Sequence, residues 1–493
     1  MHRIKMEKKK NFNTDDLFSE EINLDLPELT LGESIDDIAG FSDDFWGIHY
    51  HLGNNQEDTR ICFSYESKYV PKILNLLRKG FIAVYLDFIT EAEEGDKENV
   101  GSSYSFDLVT PGGYGMYMRY IHNTRGYQDT NNRIATYIQF KNLRTKLNVS
   151  EKQYYLLDLK SLDKAELSGE ENALYISVYD YRDIQGDSSV LPQLRPLPGL
   201  KGIVYNGKPL PNLHIPEFPK GILRLKVNNV GQGNWNELQT RKKTRLVYDL
   251  GTNIEKKSRD AYIDKLINSH PYTRKPSLII SHWDLDHYNI FLYMNRKEKN
   301  QFSQLIVSTT LPSLTPFMLL QEVVQNTKIK LSLVDNNPHL LTAPVNYINV
   351  QNKQLKLFAC PMKMDGNKFN TNESGLILNA NAEDKNILLT GDCTYAQASE
   401  AVKQSFANIH QDKNHYLVVP HHGGGHTPNY QTPQHCNIKA AVISVDELKT
   451  NKNGIVVRRR YGHPTIEAVH HFIKKHGCKL LRTDYANEDI IIS

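Results

Sequence analysis

Leu278-Ile279-Ile280-Ser281-His282-Trp283-Asp284-Leu285-Asp286-His287 is the stretch on which the reading of this 493-residue chain turns. The apolar triplet reads as a short buried strand, and His282, Asp284, Asp286 and His287 follow it within six residues. Carboxylates packed this closely repel one another unless a cation neutralises them. Two further strand ends carry complementary groups. Ile387-Leu388-Leu389-Thr390 runs into Gly391-Asp392, and Tyr416-Leu417-Val418-Val419-Pro420 runs into His421-His422-Gly423. Side chains at successive strand ends meet at one edge of a sheet. Imidazole and carboxylate together form a borderline donor set suited to Zn²⁺, Mn²⁺ or Fe²⁺.

The flanking sequence supplies the rest of a layered domain. Ile222–Asn228, Thr244–Asp249, Ser277–Ile280, Gln304–Ser308, Gln354–Ala359, Leu376–Asn379, Asn386–Leu389, Tyr416–Val419 and Ala440–Val445 read as strands. Ser258–Asn268 and Pro464–Lys475 read as helices, the second with Pro464 in its first turn and Gly477 past its end. Strands packed with helices predict an α/β domain over residues 221–493.

Upstream, Val190–Lys220 holds seven of the 21 prolines and reads as an extended linker, 191–220. Residues 46–190 read as a separate α+β domain. Its elements are a helix at Tyr69–Lys79 and strands at Phe81–Phe88, Arg133–Phe140, Tyr154–Leu157 and Ala173–Val178. Gly112-Gly113-Tyr114-Gly115 lacks a phosphate-loop context and reads as a turn. Asn11–Phe45 carries eleven acidic residues and no Lys or Arg, so residues 1–45 read as a solvated acidic arm.

Composition narrows the function classes. Apolar residues make up 39% of the chain and charged residues 23%, enough for a sizeable core. Lys plus Arg is 59 against 56 Asp plus Glu, so no global field attracts nucleic acid and any basic surface is local. No apolar run approaches the roughly 18 residues of a membrane span. The five scattered cysteines show no C-x-x-C spacing, which predicts a reduced, cytoplasmic protein.

With these residues in view, the sequence resembles the metallo-β-lactamase superfamily, and within it the C-terminal hydrolase domain of the DNA-uptake protein ComEC, also called Rec2. His282, Asp284, Asp286 and His287 match its H-x-D-x-D-H. Val230-Gly231-Gln232-Gly233-Asn234 is similar to its V-G-Q-G-D, and Asp249-Leu250-Gly251 to its D-x-G strand end. Asn372-Glu373-Ser374 and Leu389-Thr390-Gly391-Asp392 resemble N-x-S and L-T-G-D. His421-His422-Gly423 resembles H-H-G-S, and Tyr461-Gly462-His463-Pro464 with Arg482-Thr483-Asp484 resembles the closing Y-G-H-P and R-T-D. The order holds over roughly Gly221–Ser493. There are departures. Tyr288-Asn289 replaces Gly-Gly after the metal motif, Asn234 stands where Asp is frequent, and glycine replaces the serine after His421-His422-Gly423. A separate third-motif histidine is missing too; His339 alone lies between His287 and Asp392.

The resemblance implies a four-layer αββα sandwich with one or two divalent ions, Mn²⁺ or Zn²⁺ with Mg²⁺ as a further choice, at one edge. It implies one metal held by Asp286, His287, Asp392 and one of His421/His422, and a second by His282 and Asp284, with Asp392 bridging. The exchange of an imidazole for Asp284 hardens the second site toward Mn²⁺ or Mg²⁺. Asp286 is expected to orient a water, and His422, His426 and His463 to meet a leaving group or substrate oxygen. The substrate implied is nucleic acid, with Arg241, Lys242 and Arg459 as phosphate-binding candidates. The biological expectation is a free-standing nuclease, a defence effector by analogy, with a protein partner available to the N-terminal half. The acidic arm suggests a mimic of nucleic acid that restrains it. The alternatives are a hydrolase of a cyclic nucleotide, lactone or lactam, and a scaffold that retains the fold without activity.

Overall fold

In a computed structural model of the chain, the described residues are 45–51, 60–66, 76, 79–91, 101–109, 111–125, 136–169, 176–182, 184, 191–197, 200–205, 213–219, 222–254, 259–336, 341, 343–365, 368–407, 409, 411–425, 427–446, 462–486 and 489–493. The acidic stretch up to residue 44, nearly all of the expected helix Tyr69–Lys79, and His339, His426 and Arg459 lie outside them. The chain divides into two units: Met1–Tyr50, Phe63–Leu200 and Ser313–Gln321 in one, His51–Cys62, Lys201–Pro312 and Glu322–Ser493 in the other.

The second unit is built on two seven-stranded sheets. In the first sheet, Leu223–Val227, Asn236–Thr240 and Lys243–Tyr248 form an antiparallel meander, with Ile490–Ile492 antiparallel at its edge. Ser277–Ile279, Gln304–Ser308 and Lys330–Val334 then add in parallel. In the second sheet, Asn346–Ile348, Leu355–Ala359, Leu376–Asn381 and Lys385–Leu389 run antiparallel. Lys413–Val418, Cys436–Ile443 and Lys479–Arg482 continue it in parallel.

Alternation along the strands explains the layering. Leu225, Leu246, Tyr248, Ile279 and Ile306 of the first sheet pack against Leu357, Leu378, Ile387, Leu389, Val418 and Val442 of the second. The intervening residues Val247, Leu278, Leu305 and Val307 are buried as well, so the outer face is also covered. The parallel connections pass through helices Ala261–Ser269 and Leu285–Tyr293, as parallel crossovers require. On the other side, helix Tyr395–Phe406 sets Ala398, Ala401, Val402 and Phe406 against Ile377, Leu388, Leu417 and Ala441. Each such buried side chain contributes about 1.5–3 kcal/mol. The result is a four-layer αββα sandwich, the metallo-β-lactamase fold.

The first unit pairs Phe81–Thr90 antiparallel with Ser102–Leu108 and Gln153–Asp158. Tyr137–Leu143 extends this sheet, Ile176–Asp180 runs parallel to it, and Glu166–Gly169 follows. Two expectations need correction here. The glycines at 112–115 lie inside helix Pro111–Arg125, not in a turn. Glycine costs a helix about 1 kcal/mol per residue. Tyr114, Tyr117 and Ile121, at helical spacing, offset that cost through burial, and the Tyr117 and Tyr179 hydroxyls share a hydrogen bond of 3.1 Å. The proline-rich stretch is not uniformly extended linker either. Leu194–Pro196 pairs with Gln153–Asp158, and Leu200–Tyr205 pairs with Thr310–Leu311. Proline is tolerated at such strand ends and edges because no ladder donor is needed there. Among the described residues, no helix is long and apolar enough to cross a membrane.

Candidate metal centre

The parallel strands of both sheets end at one edge, and the polar residues just beyond them converge there, as carboxyl-terminal strand ends do in open α/β sheets. Lys243–Tyr248 delivers Asp249, Ser277–Ile279 delivers Ser281 and His282, and Lys385–Leu389 delivers Asp392. Lys413–Val418 delivers His421 and His422, and the first turn of helix Leu285–Tyr293 holds Asp286 and His287.

These side chains lie close together. His287 Nε2 is 3.1 Å from Asp392 Oδ1 and 4.0 Å from Asp286 Oδ1. His422 Nε2 is 3.5 Å from Asp286 Oδ2 and 3.9 Å from Asp392 Oδ1. His282 Nε2 is 4.0 Å from Asp392 Oδ2 and 3.9 Å from Asp284 Oδ2. Two triads, His282–His287–Asp392 and Asp286–His287–His422, each have ligand atoms within 4.8 Å of one another. His421 Nε2 approaches Asp392 Oδ2 at 3.6 Å.

Three of these rings, His282, His287 and His422, are each held from behind by the other nitrogen. His287 Nδ1–H donates to Asp249 Oδ2 at 2.9 Å, and His422 Nδ1–H donates to the Ser444 carbonyl at 2.8 Å. Ser281 spends its hydroxyl proton on Asp249 at 2.9 Å, so His282 Nδ1–H donates to Ser281 Oγ, also at 2.9 Å. These partners set the tautomers and turn every Nε2 lone pair toward the carboxylates. The Nε2 atoms of His282, His287 and His422 and Oδ1 of Asp392 are buried without a hydrogen bond. Such atoms are costly to bury, and divalent cations held within the two triads would satisfy them. Zn²⁺, Mn²⁺ and Fe²⁺ all fit this nitrogen–oxygen set.

The electrostatics agree. Burial opposes a charged ring at His287, yet Asp392, Asp249 and Asp286 together hold its pKa well above the ordinary imidazole value. Burial likewise opposes ionisation of Asp392 and Asp286, but the surrounding imidazoles keep both carboxyls below the usual range. His282 is pushed down to about 4 by burial and by the charge on His287. The carboxylates of the cluster thus favour positive charge among them.

Local backbone geometry serves this arrangement. Asp249, His421 and His422 all sit at positive φ (60°, 50° and 52°), a conformation that costs non-glycine residues about 1–3 kcal/mol and gathers at functional sites. His463 packs edge-on to His421 with ring centroids 5.1 Å apart. Gly424 makes that possible, because a Cβ there would fall within the His463 ring. Glycine at 424 is therefore a steric requirement of His463. Tyr288-Asn289 continues helix Leu285–Tyr293, and Asn289 holds the preceding loop by accepting from Thr252 N at 2.8 Å.

The other expected residues are placed differently. Arg241 and Lys242 occupy the hairpin turn before Lys243–Tyr248, at the opposite end of the strand from Asp249. Six residues at about 3.3 Å each separate them from the cluster by about 20 Å. They are not brought to the site. His426 and Arg459 fall outside the described residues. Asp284 is joined by Thr371, whose hydroxyl donates to Oδ1 at 2.6 Å. The sequence does not single out Asp249, Ser281, Thr371 or Ser444 as site residues. Asp249 alone carried a signal, its place at a D-x-G strand end, whereas Ser444 acts through a carbonyl that any residue supplies.

No protein-family model matches the chain, and no curated protein matches it significantly. Solved structures that align with it include Tm1679, a metal-dependent hydrolase of the β-lactamase superfamily (11% identity, 55% of this chain, 99% of that one, TM-score 0.32). Human tRNase Z, short form, aligns at 10% identity over 55% of this chain and 99% of its own, with TM-score 0.30. Zn²⁺-bound PqqB from Methylobacterium extorquens aligns at 10% identity over 55% of this chain and 100% of its own, with TM-score 0.32. Sheet order, register and the converging histidines, rather than these alignments, carry the fold assignment.

Proposed function

We propose that the chain is a metal-dependent hydrolase acting on phosphodiester bonds of nucleic acid. The observation that carries the hydrolase reading is the set of three imidazoles, each fixed through Nδ1, whose Nε2 atoms surround Asp286 and Asp392. In this reading His282, Asp284 and Asp392 hold one ion, and Asp286, His287, His422 and Asp392 hold another. His422 is then a ligand and not a proton donor, because its Nδ1 proton is committed to the Ser444 carbonyl. A bound divalent cation lowers the pKa of water toward about 7 and offsets negative charge on a substrate oxygen.

The chain's own residues divide the remaining work. Asp286 has an oxygen available to orient the attacking water. His463 and His421 line the rim, where a substrate oxygen or leaving group is met. Burial and the neighbouring His421 and His422 push His463 down to about 3, so at neutral pH it is an uncharged imidazole that donates or accepts a hydrogen bond. The ordered resemblance to the ComEC-type hydrolase domain supports a nucleic-acid substrate, and the carboxylate-rich donor set supports Mn²⁺ or Mg²⁺ beside Zn²⁺. A basic groove at the site is not part of this support, since Arg241 and Lys242 lie at the far strand end.

The test is cleavage of end-labelled single- and double-stranded DNA and RNA with Mn²⁺, Mg²⁺ or Zn²⁺. Metal-dependent cleavage that Asp286→Ala and His287→Ala both abolish, with circular dichroism unchanged, is the expected result. Cleavage that survives both substitutions contradicts the site. Hydrolysis of cyclic nucleotides or lactones without polymer cleavage replaces the substrate class.

A further inference from the structure

Away from the strand-end cluster, the helix that begins at Ile466 changes its pitch. Ile466–His470 is α-helical, and His471–Lys475 continues as a π-turn closed by the His476 N–H to the His471 carbonyl. In an α-helix, residues five apart point about 140° away from each other. The wider π-turn brings His471 and His476 to one face, and such turns often mark functional sites.

Both rings aim the same nitrogen at a single oxygen. His471 Nε2 is 3.2 Å and His476 Nε2 3.1 Å from the Tyr430 carbonyl, and the two nitrogens are 3.2 Å apart. The three donor atoms form a nearly equilateral triangle. Tetrahedral zinc with ligands at 2.0–2.1 Å has donor-to-donor edges of about 3.3 Å, so the triangle has the size of one face of that tetrahedron. His476 is half-buried, which leaves the fourth position to water, while His471 is buried.

We propose that His471 Nε2, His476 Nε2 and the Tyr430 carbonyl form a second, structural site for a borderline transition ion, Zn²⁺ in the first instance. Two imidazoles select Zn²⁺, Co²⁺ or Ni²⁺ over Mg²⁺ and Ca²⁺. Burial and the adjacent Lys475 charge lower both rings' pKa, which keeps them neutral and ligand-competent at pH 7. That same Lys475 charge weakens cation binding, so this site fills after the strand-end cluster. The ion ties Tyr430, which follows the His421–Gly425 loop, to the helix that follows His463. It therefore stiffens both segments that carry rim histidines without touching substrate.

The test uses full-length protein stripped with chelator and titrated with ZnSO₄, read by metal stoichiometry and by Tm. His476→Gln keeps an N–H donor for the Tyr430 carbonyl but removes the ligand. It is expected to bind one zinc fewer per chain and to lose the part of the Tm rise that appears at the higher zinc concentrations. The same stoichiometry and the same Tm response as the parent overturn the proposal. On the unsubstituted protein, anomalous diffraction at the zinc edge is the parallel readout, with a peak between the two rings expected and its absence contradicting. Neither readout depends on whether the chain hydrolyses nucleic acid.

Discussion

Asp249 illustrates how one side chain governs others. Its carboxylate accepts from Ser281 N at 2.6 Å, from Ser281 Oγ at 2.9 Å and from His287 Nδ1 at 2.9 Å, and thereby orients two of the three rings. Loss of such an orienting partner typically weakens metal binding about 10–100-fold. Asp249→Ala is accordingly expected to lower metal affinity within that range in calorimetric titration while the protein stays folded; an unchanged affinity contradicts the role. Gly424 poses the complementary question. Its Cβ would displace the His463 ring. Gly424→Ala is expected to cut kcat at least tenfold and leave metal affinity within a few-fold, whereas full activity removes His463 from the chemistry. At this scale the sequence was readable where chemistry is local. His282, Asp284, Asp286 and His287 announce themselves by spacing, but Thr371, Ser281 and the Ser444 carbonyl are common residues whose roles exist only in three dimensions.

Among the elements, the strands of the second unit were legible because they are short, apolar and bounded by turns. Gln304–Ser308 matches its expected bounds, and Leu376–Asn381 and Lys385–Leu389 cover the expected strands Leu376–Asn379 and Asn386–Leu389. Helix Pro111–Arg125 was not, because its glycines argue locally for a turn and only burial of Tyr117 and Ile121 outweighs them. The strand Lys413–Val418 also extends further back than its apolar run, through His415. That ring is buried, hydrogen-bonded to Asn386 Oδ1 at 2.7 Å and to the Tyr430 hydroxyl at 2.8 Å, and its pKa is pushed down to about 3 by burial. The unfolded chain takes up this proton below about pH 6.5, whereas the folded ring stays neutral until about pH 3. Stability from His415 is therefore complete above about pH 6.5 and is lost as the pH falls toward 3. His415→Gln is expected to flatten the dependence of Tm on pH between 6.5 and 4; a slope equal to the parent's contradicts this assignment.

For the molecule as a whole, the two units differ in how much sequence alone explains. The αββα unit was foreseeable because its chemistry-bearing strand ends and its alternating strands agree, and agreement across levels is what specifies a fold. Among its described residues the first unit has a tyrosine-rich mixed sheet but no comparable constellation of chemistry-bearing residues. Its role was unreadable because packing residues report a core and not a task. The near-neutral total charge has the same consequence: affinity for a polyanion must come from a bound cation and local side chains, not from a field over the whole protein. The account therefore rests on whether the strand ends of both sheets close around an ion. Anomalous diffraction from crystals grown with Mn²⁺ or Zn²⁺ tests this most directly. The account expects an ion about 2.0–2.2 Å from the Nε2 atoms of His287 and His422 and from the carboxylates of Asp286 and Asp392. Fully ordered side chains at saturating metal with no anomalous peak among them would contradict it.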